Sequence, residues 1–282
     1  MNNIKSVLCN NPEGYHRIFY REYGNENAEH TVVCAHGLTR NSHDFDFFAE
    51  GISDNFRVIT VDIVGRGISD WLDNKALYTY NQYANDFSTL FAKIDVENVF
   101  WVGTSLGGSI GMILASKRNT PIKKLVANDI APYIDYSIIE SISKYCGSTP
   151  VFNNQEEICN YLKEIYTAFG DLADKHWEHI AKHTTGKKDG DKYRLAFDPA
   201  ISYSILEETN HKSVDFWKYW DKVACPTLVI HGLQSTILSS EQTKEMSERG
   251  PMADVFTVED AGHAPALMLE DQIQKVKEWL LK

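Results

Sequence analysis

The stretch Val102-Gly103-Thr104-Ser105-Leu106-Gly107-Gly108 constrains this chain most, because it joins the apolar run NVFWVG to the apolar segment SIGMILAS through one serine. A strand that stops at Gly103 and a helix that starts after Ser105 require a sharp turn. Small residues two positions either side of Ser105 let the backbone pass closely there. Such a turn lifts the Ser105 hydroxyl out of the fold. The segment after it is apolar nearly all round, as a buried helix is, and its N-terminus aims free backbone N–H groups at whatever Ser105 attacks. An anion forming at that point is stabilised. The pattern G-x-S-x-G is short, and a serine that merely N-caps a helix also satisfies it. The flanking strand, the buried helix and a distant glycine-histidine pair near the C-terminus favour a nucleophile.

The rest of the chain alternates in the manner of a parallel sheet. HRIFYREYG reads as an early antiparallel strand, and TVVCA reads as a buried strand that runs into His36-Gly37-Leu38. DFDFFAEGI fits a short helix, and RVITVD is a strand that ends near Gly65-Arg66-Gly67. Tyr83, Phe87, Leu90, Phe91 and Ile94 recur at helical spacing, which lays one face on the sheet. KKLVAND supplies the strand after the serine, and CPTLVIHG and ADVFTV resume the pattern much later. Ile273, Val276 and Leu280 form the inward stripe of a last helix. Strand and helix in turn predict an α/β fold with a mostly parallel sheet and helices on both faces. Between these runs the segment 133–217 loses the alternation. It carries helical spacing at Ile158, Leu162, Ile165 and Phe169, many tyrosines and a turn-rich GKKDGDK loop. It is expected to be an α-helical cap inserted into a core formed by residues 1–132 and 218–282.

At 282 residues the chain suits one large domain with such an insertion. Its 39 acidic residues against 28 basic ones give a formal charge of −11, which repels nucleic acid and anionic lipid surfaces. A small-molecule substrate, neutral and with an apolar acyl or ring group, is the expected partner; nucleic acid and membrane are not. Cys9, Cys34, Cys146, Cys159 and Cys225 are odd in number and form no C-x-x-C pair, so they read as thiols of a reducing cytosol. The opening MNNIKSVLCNNPEG lacks an apolar h-region, and no apolar run is long enough to span a bilayer. A cytoplasmic protein is expected.

A serine nucleophile needs a base, and His263 is the histidine in a short glycine-bearing loop, AGHAP, after the last strand. Loops leaving the carboxyl ends of parallel strands share one crevice, so His263 can meet Ser105. The backbone N–H groups of Leu38 and Leu106 are candidates for an oxyanion hole, where each donor is typically worth about 3 kcal/mol of barrier.

The order HG, G-x-S-x-G, cap and GH resembles the α/β-hydrolase superfamily over essentially the whole chain. HGLTRNSHDFDFF, VDIVGRGISDW, WVGTSLGGSIGM, LVANDIAP and RGPMADVFTVEDAGHAPALM resemble a bacterial branch of capped, esterase-like serine hydrolases. The resemblance implies Ser105 as nucleophile, His263 as base, Leu38 and Leu106 as oxyanion donors, and neither cofactor nor metal. One position departs from the pattern. The acid that orients the base usually follows the strand PTLVIHG, where this chain has Ser235 and Thr236. Certain haloalkane dehalogenases place their acid after the preceding sheet strand, and the matching residue is Asp129. Asp129 is therefore the candidate acid, although it would also suit a turn cap; Glu259 and Asp260, just before His263, are alternatives.

Asp62, Arg66 and Asp70 read as structural residues of the GRG turn. His176, His179 and His183 share one face of a helix at a spacing that can bind a transition metal, but no acidic or cysteine ligand is expected to join them, and Leu172 and Ile180 share that face. They are expected to line the cleft between cap and core. Tyr133, Tyr136, Tyr145, Tyr161 and Tyr166 suggest an apolar pocket. The function expected is hydrolysis of a small carboxylic ester through an acyl-enzyme. A non-catalytic small-molecule sensor, or a hydrolase of lactones or carbon-carbon bonds, is the alternative.

Overall fold

The computed structural model describes residues 4–148 and 150–282. The chain opens with a hairpin, β1 (Ile4–Asn11) and β2 (Gly14–Tyr23), whose first strand escapes the sequence reading. Its signal is weak: only Val7 and Cys9 are buried among exposed neighbours, as an edge strand allows. There follow β3 (Thr31–Ala35), a 3-10 turn Ser42–Phe45, α1 (Asp46–Ile52), β4 (Arg57–Asp62), α2 (Tyr80–Ile94), β5 (Val99–Thr104), α3 (Leu106–Ala115) and β6 (Ile122–Asn128). Thr79 N-caps α2, and all five residues of its expected stripe are buried.

Between β6 and the next strand of the main sheet the chain forms β7 (Tyr133–Ile134), α4 (Tyr136–Gly147), α5 (Gln155–Ile165), α6 (Asp174–Thr184), β8 (Thr185–Asp189), β9 (Lys192–Leu195), α7 (Ile201–Glu208) and β10 (Val214–Asp215). This segment is mainly helical but not wholly so. β8 and β9 form an antiparallel ladder, so the stretch read as a loop, GKKDGDK, is largely hairpin with its turn at Gly190-Asp191. β7 pairs with β10, tying the two ends of the segment together. α8 (Trp217–Trp220), β11 (Thr227–Gly232), α9 (Ser240–Glu248), β12 (Asp254–Val258) and α10 (Glu270–Leu281) complete the chain.

Eight strands form one sheet in the order β1-β2-β4-β3-β5-β6-β11-β12. β2 runs antiparallel to β1 and β4, and every other pairing is parallel. One face carries α2 and α3, with Trp101 wedged edge-on between Phe87 and Phe91. The other carries α1 and α10, where Phe48, Ile52, Val276 and Leu280 pack together. Burying such side chains stabilises the sheet by about 1.5–3 kcal/mol each. A third cluster, including Ile158, Leu162, Trp177 and Ile180, lies within the segment between β6 and α8 and takes in Met268 from the C-terminal part of the chain. Among the described residues no helix is long and apolar enough to cross a membrane. Because β3, β5, β6 and β11 are consecutive neighbours, their carboxyl ends open side by side.

Candidate active site

Ser105 sits between β5 and α3 with φ +50° and ψ −112°, a conformation costing about 1–3 kcal/mol that only the surrounding packing sustains. Two glycines make the turn possible. A Cβ on Gly103 would stand 2.3 Å from the Gly107 carbonyl oxygen, and one on Gly107 would stand 1.9 Å from that of Ala35. Trp101 Nε1 donates to Gly107 O at 3.0 Å, fixing helix to strand. All ten residues of α3 are buried, as its apolar composition predicts. Ser105 occupies the N-cap position, yet its side chain makes no capping hydrogen bond. Its Oγ faces His263 Nε2 at 3.0 Å instead.

His263 Nδ1 lies 2.6 Å from Asp129 Oδ2. Asp129 follows β6 directly, is fully buried, and has φ +50°, which turns its carboxylate into the crevice. Its N–H donates to Ile230 O at 2.8 Å, and its Oδ1 accepts the Gly232 N–H at 3.1 Å. Ser235, which stands where an acid was first sought, donates its hydroxyl to Asp129 Oδ2 at 2.7 Å. The Ser235 Oγ in turn accepts the N–H groups of Ile237 and Leu238. Glu259 and Asp260 are exposed, and among the described residues neither bonds His263.

The HGL loop borders the same point: a Cβ on Gly37 would lie 3.8 Å from that of Ser105. His36 underpins it. Its Nδ1 donates to Gly37 O at 2.6 Å and its Nε2 accepts the Ile63 N–H at 3.0 Å, so the ring is neutral. Burial is the main cause that pushes its pKa down to about 4. Leu106 is the first residue of α3, so its N–H has no acceptor within the helix. Leu38 and Leu106 line one small cavity together with Ser105.

Asp62, Arg66 and Asp70 do fix the turn. Asp62 accepts the N–H groups of Ser42 and Ile68, Arg66 Nη1 donates to Val64 O, and Asp70 O accepts the Gly65 N–H. Arg66 does more than the sequence suggests, because its Nε donates to Leu38 O at 2.8 Å and so holds the residue beside Ser105. Asn128 was also missed. Its Nδ2 donates to Thr104 Oγ1 at 3.0 Å and Pro265 O at 2.8 Å, bracing the serine turn against the histidine loop. A polar residue closing the buried apolar run Leu125-Val126-Ala127 is its only signal in the sequence.

Two cavities meet at Ser105. The smaller, about 70 Å³, is lined chiefly by apolar side chains such as Leu106, Ile130, Ile134 and Ile139. The larger, about 350 Å³, includes His263, Thr236, Arg40, Tyr145 and Tyr166. Of the five tyrosines expected to form a pocket, only these two line it. Tyr145 and Tyr166 share a 2.7 Å hydrogen bond, and Tyr166 bonds Thr39 Oγ1 at 2.9 Å. Tyr133 is exposed, Tyr136 contacts His211 and Tyr161 packs on Phe152; periodicity alone does not reveal which side a helix presents.

The three α6 histidines face the segments expected to form the core, and His183 borders a cavity walled by residues of both parts of the chain. None of His176, His179 and His183 lines either cavity at Ser105. The inward ring of His176 packs against Phe47, while His179 and His183 meet His43 and Asp46 of the core. An acidic partner is thus present, supplied from a segment remote in sequence.

The family model for the alpha/beta hydrolase fold matches residues 30–267. A 3-hydroxybutyrate-oligomer hydrolase of Cupriavidus necator is 37% identical over 275 residues, covering 95% of this chain and 94% of that protein. A solved structure from Rickettsia typhi has a TM-score of 0.91 at 34% identity, covering 99% of this chain and 98% of the other. An alpha/beta hydrolase from Novosphingobium aromaticivorans has a TM-score of 0.87 at 28% identity, covering 100% and 99%.

Proposed function

The chain belongs to the α/β-hydrolase family, and on that premise we propose a serine hydrolase of small esters with Ser105 as nucleophile, His263 as base and Asp129 as acid. The observation that carries this reading is the continuous contact from Ser105 Oγ to His263 Nε2 and from His263 Nδ1 to Asp129 Oδ2. Ser105 Oγ attacks the ester carbonyl while His263 takes its proton. The tetrahedral oxyanion is held by the N–H groups of Leu38 and Leu106. His263 then gives the proton to the departing alcohol, leaving an acyl-Ser105 ester. Water activated by the same imidazole releases the acid and restores the serine. Asp129 keeps the Nδ1 tautomer and stabilises the imidazolium.

Residues 133–217 act as the cap in this reading, over a core of residues 1–132 and 218–282. The small apolar cavity takes a short acyl group and the larger one the alcohol side. Short oligomers of 3-hydroxybutyrate are the first substrates to test, because the relative that is 37% identical is named for them. A cytoplasmic site of action completes the reading, and the five free thiols fit it. The non-catalytic alternative was motivated by the missing acid, a motive weakened by the carboxylate beside His263.

The test is turnover of 3-hydroxybutyrate dimers and trimers, alongside p-nitrophenyl acetate and butyrate. Hydrolysis that falls by about four orders of magnitude or more in Ser105→Ala supports the proposal. Binding of such esters with no turnover would return the chain to the class of binding proteins.

A further inference from the structure

Away from Ser105, three imidazoles and a carboxylate converge across the boundary between the insertion and the core. His179 and His183 lie one helical turn apart on α6, while His43 and Asp46 come from the 3-10 turn and the start of α1. One ligand atom from each lies within 4.8 Å of all the others. Asp46 Oδ2 is 2.6 Å from His43 Nδ1 and 3.3 Å from His179 Nε2. The His183 ring stacks on that of His43 at 3.6 Å and lies 4.6 Å from that of His179.

We propose that His43, Asp46, His179 and His183 form a binding site for a divalent transition-metal ion, Zn²⁺ by preference, that clamps α6 to the core. Three imidazole nitrogens and one carboxylate oxygen suit Zn²⁺ or Co²⁺, whereas Ca²⁺ and Mg²⁺ require mostly oxygen ligands. Ligands about 2.0–2.1 Å from a tetrahedral ion stand about 3.3 Å apart. The ligand atoms stand within 4.8 Å of one another, so an ion would draw them together by small side-chain rotations, and the Asp46–His179 pair already has that spacing. The second carboxylate oxygen is held as metal-ligating carboxylates commonly are: Tyr23 donates its hydroxyl to Asp46 Oδ1 at 2.7 Å, so Oδ2 alone faces the imidazoles, where an ion would take the place of their protons.

Hydrogen bonding alone accounts for part of this cluster but not for His183. Among the described residues its ring nitrogens have no hydrogen-bond partner, and its ring instead lies against two other imidazoles. By contrast, in the buried group Cys9, His16 and Asp86 both ring nitrogens of the histidine are already hydrogen-bonded: His16 Nε2 meets both Asp86 oxygens and its Nδ1 meets Asn11. His43 and His183 also border a cavity of about 910 Å³, distinct from those at Ser105, through which an ion can arrive.

An ion there would reinforce contacts that already join the two segments. Arg40 donates to Thr184 Oγ1 at 2.9 Å, Asn41 donates to His183 O at 2.9 Å, and Arg40 and Asp44 line the larger cavity at Ser105. Metal binding is thereby coupled to how firmly the insertion sits over that cavity, and the ion itself touches no residue of the proposed Ser-His-Asp relay.

The experiment is a Co²⁺ titration of the full chain after chelator dialysis, followed by visible absorption. One equivalent is expected to saturate the signal, with Zn²⁺ displacing Co²⁺ and raising the thermal midpoint, and chelator reversing both. His183→Gln and Asp46→Asn should each weaken Co²⁺ binding by about 100-fold or more, and Tyr23→Phe by about 10-fold or more. His176→Gln, on the same helix but outside the cluster, should bind as the unaltered protein does. If His183→Gln or Asp46→Asn loses its fold by circular dichroism, the one-equivalent saturation and the Zn²⁺-dependent midpoint of the unaltered chain decide. No saturable Co²⁺ signal, equal binding in His183→Gln, or loss of binding in His176→Gln overturns the site.

Discussion

Ser235 donates its hydroxyl to Asp129 Oδ2 at 2.7 Å, so the residue at the usual position of the acid holds a carboxylate that comes from the neighbouring strand, the proposed acid. β6 and β11 are adjacent and parallel, which brings the segments that follow the two strands, Asp129 and the loop with Ser235, to one point. Moving the carboxylate across that single strand spacing leaves its distance to His263 Nδ1 at hydrogen-bond length.

Asp129→Asn should therefore lower kcat/KM by about 10³–10⁴-fold with the fold intact, because the imidazole loses both its counter-charge and its tautomer lock. Thr236→Asp should add little to the unaltered enzyme. Steady-state kinetics of the two variants checks this. An inert Asp129→Asn with a large gain from Thr236→Asp would mean that the acid role lies elsewhere.

Ser235→Ala tests the support of that carboxylate. It removes a hydroxyl donor from Asp129 Oδ2 and an acceptor from the N–H groups of Ile237 and Leu238. A charge-assisted hydrogen bond of this kind is worth about 1.5–3 kcal/mol. The expected outcome is a fall of about tenfold or more in kcat with KM little changed, partly restored by Ser235→Thr. Unchanged kcat would show that Gly232 N–H and His263 suffice to hold Asp129.

Much of this arrangement is legible in the sequence, and the exceptions have physical causes. β5, α3 and the glycines around Ser105 are readable because steric demands admit so few residues there. Asp129 stands out as a candidate only because the usual position lacks a carboxylate; Ser235 gives no sign in the sequence that it bonds Asp129, since a hydroxyl suits many surroundings. Arg66 looks like a turn residue until the fold brings Leu38 O within 2.8 Å of its Nε. The α6 histidines appeared unaccompanied because Asp46 lies 130 or more positions earlier, and no spacing rule links residues across a domain insertion.

His36 should make the fold sensitive to mild acid. Its pKa is pushed down to about 4, mainly by burial, against an ordinary value of 6.5. Below pH 6.5 the unfolded chain binds a proton that the folded one refuses, so stability falls as pH drops toward 4 and is fully present above 6.5. The loss is roughly 3 kcal/mol for this group. Urea unfolding of the unaltered chain and of His36→Gln isolates the contribution: the stability difference between them should shift by that amount between about pH 7 and pH 4. Parallel profiles would contradict it.

The most direct measurement of the central claim is intact-protein and peptide mass spectrometry after exposure to a fluorophosphonate. One adduct per chain, carried by Ser105, absent from Ser105→Ala and formed far more slowly in His263→Ala, is the expected result. Failure of the folded protein to take up the probe at Ser105 would contradict the nucleophile assignment and the hydrolase mechanism built on it.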